Sequence, residues 1–168
     1  YMKTLTLVRH AKSAPASIGQ NDFDRPLNEK GLIDATVMAQ RIAGRNIPIN
    51  LFVCSPALRA MQTCKAFCDV YNFDIANIVS VKKLYNAPRI VFYDIVGELN
   101  NAIDHIALFA HNPGITQFTN DLVPQFSVDN MPTCGVMSVA INTKTWAKFE
   151  AAEKQLLVFD YPKNMQNL

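Results

Sequence analysis

The stretch Leu5-Thr6-Leu7-Val8-Arg9-His10-Ala11-Lys12-Ser13 runs from residues suited to a buried strand straight into an adjacent arginine and histidine. Groups of that kind are costly to bury unless something pairs with them. In open α/β sheets the ligand crevice lies beyond the carboxyl ends of the strands, where a chain leaving Val8 places Arg9 and His10. Alone, the dipeptide leaves two readings open: a hydrogen-bonded structural histidine at a strand end, or part of a site.

Outward from this strand, residues 11 to 27 form a polar loop carrying Ser13, Pro15, Ser17, Gly19, Asn21, Asp22, Asp24 and Pro26. Loops of that length in compact domains are often functional. A helix follows: Asn28 can cap it, Glu29 suits its first turn, and Leu32, Ala35, Ala39, Ile42 and Ala43 recur at helical spacing as far as Gly44. Arg25, just before it, reads equally as a solvated loop charge or a contributor to a site. Leu51-Phe52-Val53-Cys54 is a second short strand, and Ser55-Pro56 supplies a cap with proline at the first helical position. Ala60, Met61, Cys64, Phe67, Cys68 and Tyr71 form the inward stripe of that helix. Arg59 stands in its first turn, the wrong end for the helix dipole. It is either a surface arginine lying over the helix or one half of an anion site.

Ile78-Val79-Ser80-Val81 predicts a third strand, and Pro88 opens a helix through about Ile103 with Val91, Ile95 and Leu99 on one side. Ile106-Ala107-Leu108-Phe109-Ala110 is the most continuous apolar run, of the kind buried on both faces of a parallel sheet, and it delivers His111-Asn112-Pro113-Gly114. A shorter helix spans Ile115 to about Leu122. Val136 to Ile141 and Leu156 to Phe159 then predict two strands, joined through the region of Trp146, that pair antiparallel at a sheet edge. The expected fold is an α/β three-layer sandwich, a mostly parallel central sheet with antiparallel edge strands and helices on both faces.

The 168 residues predict a single domain over 1–168, and 49% hydrophobic content suffices for a substantial core. Tyr1 precedes Met2, the natural initiator, and reads as an added residue. A net charge of +2 from 16 basic and 14 acidic residues gives no nucleic-acid coat and no membrane-binding basic face, so any anion site is local. No signal-peptide or membrane-spanning run is visible, so a soluble, cytoplasmic monomer is expected. Cys54, Cys64, Cys68 and Cys134 lack zinc-site spacing and read as reduced packing residues.

Arg9, His10, Arg59 and His111 each fall at or just past the carboxyl end of a predicted strand, on one edge of a parallel sheet. Cations gathered so closely repel one another and make sense around an anion. Phosphate fits best, because guanidinium groups grip phosphoryl oxygens in pairs. Neither metal nor cofactor is called for, since the arginines supply the charge.

These residues carry a resemblance. Leu7-Val8-Arg9-His10-Ala11-Lys12-Ser13 resembles the Arg-His signature of the histidine phosphatase superfamily, the phosphoglycerate mutase-like group. Arg25-Pro26-Leu27-Asn28-Glu29-Lys30-Gly31, Ser55 to Thr63 and His111 to Ile115 match its next three motifs in order. The Arg-His-Ala and His-Asn-Pro-Gly blocks, the Pro132-Thr133-Cys134-Gly135 turn and the short length resemble its SixA-like phosphohistidine phosphatases. The resemblance implies a phosphohistidine intermediate on His10, with Arg9, Arg59 and His111 on the phosphoryl oxygens, Arg25 and Asn112 as further phosphate-binding or pocket-orienting residues, and inorganic phosphate as product. It also implies a neutral His10, which can attack phosphorus, and a cationic His111, which binds phosphate better.

The wider family usually has an acidic proton donor after the third strand, where Leu84-Tyr85-Asn86-Ala87-Pro88 carries no carboxylate. An alkoxide needs that proton to leave, whereas imidazole depends on it less, which favours N–P bonds. Asp22, Asp24 and Glu29 are the loop carboxylates that could replace the donor, each read otherwise as a solvated charge or cap. Without long insertions over the pocket, the expected substrate is a phosphohistidine-bearing protein, such as a histidine-phosphotransfer domain or phosphocarrier. A small-molecule phosphomonoesterase and an inactive phosphate-binding module are the alternatives.

Overall fold

In the computed structural model, which describes residues 1–164, the Leu5 to Val8 run lies inside strand β1 (Met2–Arg9) near the middle of a six-stranded sheet. The other strands are β2 (Leu51–Cys54), β3 (Val79–Ser80), β4 (His105–Ala110), β5 (Val136–Asn142) and β6 (Lys154–Asp160). Their order is β3-β2-β4-β1-β5-β6. The first four in that order run parallel, and β5 and β6 add antiparallel to β1 and to each other. Helices α1 (Glu29–Gly44) and α2 (Leu58–Val70) cover one face, α3 (Arg89–Gly97) and α4 (Gly114–Leu122) the other.

Strand alternation sorts side chains between the two faces. Leu5, Leu7, Ile106, Leu108 and Val139 join Phe92, Val96, Ile115 and Phe118 beneath α3 and α4. Val8, Phe52, Cys54, Ala107 and Phe109 join Ala35, Met38, Cys64 and Phe67 beneath α1 and α2. The expected three-layer sandwich with an antiparallel edge is the observed fold. All four cysteines are free and buried. Among the described residues no helix is long and apolar enough to cross a membrane.

Local expectations shift where tertiary context overrides them. On α1 the buried stripe is Gly31, Ala35, Met38, Ala39 and Ile42, so Leu32 turns half outward. Helix α3 stops at Gly97 rather than near Ile103, because a glycine weakens a helix interior and the Asn100-Asn101 segment turns away. Leu99 and Ile103 still pack on the core from the turn. Strand β3 keeps only Val79 and Ser80, both exposed at the sheet edge. Ser55 does not cap α2, whose first helical residue is Leu58 and whose cap position, Ala57, has no side-chain hydrogen bond.

Two glycines let loops close on the sheet edge. The Asn28 side chain caps α1 by accepting from Gly31 N–H at 2.7 Å, and Asn28 N–H donates to Lys12 O at 2.9 Å. A Cβ on Gly31 would run into that Lys12 carbonyl, and one on Gly114 into the Ala87 carbonyl. Gly31→Ala is therefore expected to cost about 2 kcal/mol, read as a melting temperature lower by roughly 4–8 °C. An unchanged melting temperature would show that the loop yields freely.

Candidate active site

The carboxyl ends of β1 and β4 lie side by side, with Arg9 opposite Ala110, so the residues that follow each strand emerge together. His10 N–H donates to Ala110 O at 3.2 Å, and Ser55 N–H, at the end of β2, donates to Phe109 O at 3.0 Å. Arg9 N–H donates to Gly135 O and Cys134 N–H to His10 O, pinning the Pro132 to Gly135 turn over the same edge. The rings of His10 and His111 stand 5.2 Å apart between centroids, tilted by 51°. Both are buried, as is Arg59, reaching in from the first turn of α2. Arg9, His10, Arg59 and His111, far apart in sequence, thus form one cluster.

A hydrogen bond selects the tautomer of His10, and burial keeps both imidazoles uncharged. His10 Nδ1 lies 2.7 Å from Ala11 O, which can only accept, so Nδ1 carries the hydrogen and Nε2 keeps a bare lone pair. Burial first, then the charges of Arg59, Arg9 and Arg25, push the His10 pKa down to about 4, although the Ala11 bond acts the other way. His10 is neutral at physiological pH. His111 Nε2 lies 2.7 Å from Ser55 Oγ, which also accepts from Ala57 N–H. His111 Nδ1 is buried and has no partner among the described residues. Burial, then His10, Arg59 and Arg9, push the His111 pKa down to about 3, with Asp22 opposing. His111, like His10, is therefore a neutral imidazole near physiological pH in this structure.

Among the described residues Arg9 Nε, Arg59 Nε and His111 Nδ1 are each buried without a hydrogen-bond partner. Buried polar atoms of this kind call for an explanation, and an acceptor-rich anion is the class of ligand that suits a cluster of guanidinium and imidazole groups. Arg9 is otherwise anchored by Nη1 donating to Met131 O at 2.7 Å, and burial and Arg59 lower its pKa. Thr63, buried on α2, accepts from Ala11 N–H at 2.9 Å and donates to Arg59 O at 2.8 Å, joining the loop after His10 to the helix bearing Arg59.

Two expected residues take indirect positions. Arg25 donates to Asp22, to Ser13 Oγ and to Ala14 O, close enough to His10 to depress its pKa. The Asn112 amide donates to Asn130 Oδ1 at 2.7 Å and Met131 O at 3.1 Å, and its oxygen accepts from Thr116. It braces the carbonyl that anchors Arg9. Sequence reasoning misses Ser55, Thr63 and Tyr85 as parts of the site, although Ser55 is visible as a helix-start signal. Tyr85 meets His111 edge-on at 5.6 Å and donates to Asp22 at 2.6 Å.

Residues 5–84 match the family model described as the histidine phosphatase superfamily (branch 1). A curated relative, an uncharacterised chloroplastic protein of Arabidopsis thaliana, is 32% identical over 85 residues, which is 50% of this chain; the chain spans 39% of that relative's length. The putative phosphohistidine phosphatase SixA from Agrobacterium tumefaciens is 26% identical, superposes with a TM-score of 0.79, and is matched over 95% of this chain and 98% of its own. A SixA structure complexed with tungstate gives a TM-score of 0.80 at 21% identity, covering 96% and 99%. A mycobacterial glucosyl-3-phosphoglycerate phosphatase gives 0.65 at 15%, covering 96% and 100%. The last two likenesses concern the fold alone.

The depressed histidines link this site to stability. Each is held below its ordinary pKa of 6.5 in the folded chain and returns to it on unfolding, so from pH 6.5 down to about 4 for His10 and about 3 for His111 the unfolded chain binds more protons. Stability is expected to fall as pH is lowered through that window, measured as denaturant midpoints, and the double variant His10→Gln/His111→Gln should flatten the profile. A flat profile in the unmodified protein would contradict the depressed values.

Proposed function

We propose that this chain, which belongs to the histidine phosphatase superfamily, is a phosphatase that removes phosphate from phosphohistidine on a protein. The observation that carries the reading is the neutral His10, its Nδ1–H held by Ala11 O and its Nε2 lone pair left for attack, in one cluster with Arg9, Arg59 and His111. Nε2 attacks phosphorus, and the P–N bond of the substrate breaks with its electron pair passing to the leaving ring. That ring departs as neutral imidazole once its second nitrogen holds a proton from water. Water then attacks the phosphoryl group on His10, the Nε2–P bond breaks, and inorganic phosphate leaves. Arg9, Arg59 and His111 bind the phosphoryl oxygens, where charge spreads in the transition state.

The choice of leaving group is supported by the carboxylate nearest these residues. A hydrogen bond from Tyr85, followed by those from Arg59 and Arg25, holds the Asp22 pKa down at about 2, so Asp22 carries no proton to give near neutrality. The hydrogen bond to Asp22 also raises the pKa of Tyr85, which keeps its proton. An ester alkoxide would find no ready acid in either group, whereas an imidazole needs little help. Four buried free thiols suit a reducing compartment, consistent with a cytoplasmic setting.

Turnover of a phosphohistidine-labelled carrier protein is expected to exceed that of p-nitrophenyl phosphate by orders of magnitude. His10→Ala should abolish both activities along with the acid-labile phosphoenzyme. The reverse substrate order would point to a small-molecule phosphomonoesterase, and binding without turnover to a phosphate-recognition module.

Ser55 holds His111 Nε2 through a 2.7 Å hydrogen bond, so Ser55→Ala is expected to lower kcat/KM about tenfold, as loss of one buried hydrogen bond at ~1.4 kcal/mol would. An unchanged value would remove Ser55 from the site.

A further inference from the structure

The sequence offers Asp22 as either a replacement proton donor or a solvated charge. In the structure it is instead a junction. Its Oδ2 accepts from Arg59 Nη2 at 3.0 Å and from the Tyr85 hydroxyl at 2.6 Å, its Oδ1 accepts from Arg25 Nε at 2.9 Å, and its backbone carbonyl accepts from Arg59 Nη1 at 2.7 Å. One residue thus supplies both acceptors for the end of the Arg59 guanidinium formed by its two Nη atoms.

A guanidinium has two edges that can grip an oxyanion: that end, and the side made by Nε–H with the second Nη2 hydrogen. Asp22 occupies the end. Nε, on the side edge, is buried and has no partner among the described residues. The Asp22–Asp24 turn that carries this carboxylate is itself fastened, because Phe23 packs edge-on against Tyr85 at 5.2 Å and Asp24 N–H donates to Asn21 O. Tyr85 in turn lies edge-on to His111. We infer that Asp22 is a positioning residue, which fixes the Arg59 guanidinium by its far end for phosphate binding and ties that alignment to His111 through Tyr85.

Half-exposed ion pairs contribute little to stability, so the proposed role is geometric. A charged side chain there would by itself repel phosphate, and the test must separate repulsion from alignment. Arg59→Lys keeps a cation but has no planar edge to align. If Asp22 acts through the shape of Arg59, removing it harms binding only where the guanidinium is present.

The inference rests on the proposed phosphate site, and the experiment uses inorganic phosphate as its probe, read by titration calorimetry on the unmodified protein, Asp22→Ala, Arg59→Lys and the double variant. The factor by which Asp22→Ala changes the phosphate Kd is expected to be at least about fivefold less favourable in the unmodified background than in the Arg59→Lys background. A general loosening of the loop, or repulsion alone, would change both backgrounds equally, and factors agreeing within about twofold overturn the inference. Tyr85→Phe, which leaves the carboxylate in place but removes one of its anchors, is expected to show the same coupling at smaller size; additivity there counts against it as well. Should the unmodified protein bind no phosphate, the phosphate site itself falls and takes the alignment with it; phosphate binding with additive factors overturns the alignment alone.

Discussion

The parallel pairing of β1 with β4 is the constraint from which the site follows. Once Arg9 lies opposite Ala110, the next residue on each strand is a histidine, and the His10 N–H to Ala110 O bond extends the ladder past both strand ends. Sheet hydrogen bonds therefore set the spacing of the imidazoles, with no flexible loop in between. Strand β2, on the far side of β4, delivers Ser55 to His111 in the same way. Sites built on rigid elements in this manner hold their geometry better than sites carried by loops.

The arrangement is electrostatically uneasy, and the unease is useful. Two arginines, each with an Nε–H that has no partner among the described residues, share a cluster with two imidazoles that burial and positive neighbours keep uncharged. Neutral His10 retains the lone pair that a nucleophile needs. A cluster of this kind destabilises the fold in acid, as groups poised for function commonly do. The anionic counterweight inside the chain is Asp22, and it lies on the far edge of Arg59, where it neither protonates His10 nor covers the Nε edge.

Much of this is legible because it is written in short stretches. The apolar run before Arg9-His10, the matching run before His111 and the Asn28 cap are local signals, and each element forms where periodicity places it. What misleads is equally local. Ser55-Pro56 has the composition of a helix start, yet a hydroxyl beside a buried imidazole does more as the partner of His111 than as a cap. Leu99 and Ile103 continue the helical spacing of α3 and are indeed apolar contacts, but Gly97 lets the chain reach the core by turning. The Asp22, Tyr85 and Arg59 junction joins residues 37 and 63 positions apart through side chains, which no window of sequence displays.

The leaving group is where fold and chemistry meet. Parallel strands bring cationic donors to one edge, and the Tyr85 hydroxyl, followed by Arg59 and Arg25, keeps a nearby carboxylate ionised; in the proposed reaction the charges that would stabilise a phosphoryl group thus help to disqualify Asp22 as an acid. Restoring a donor would require a carboxyl group removed from the arginines, in a drier position than the half-exposed loop offers. A pocket so arranged, on the reading proposed here, selects substrates by the basicity of what departs. An imidazole, able to take its proton from water through its second nitrogen, suits such a pocket, while a sugar or alcohol oxygen must break away against a full charge.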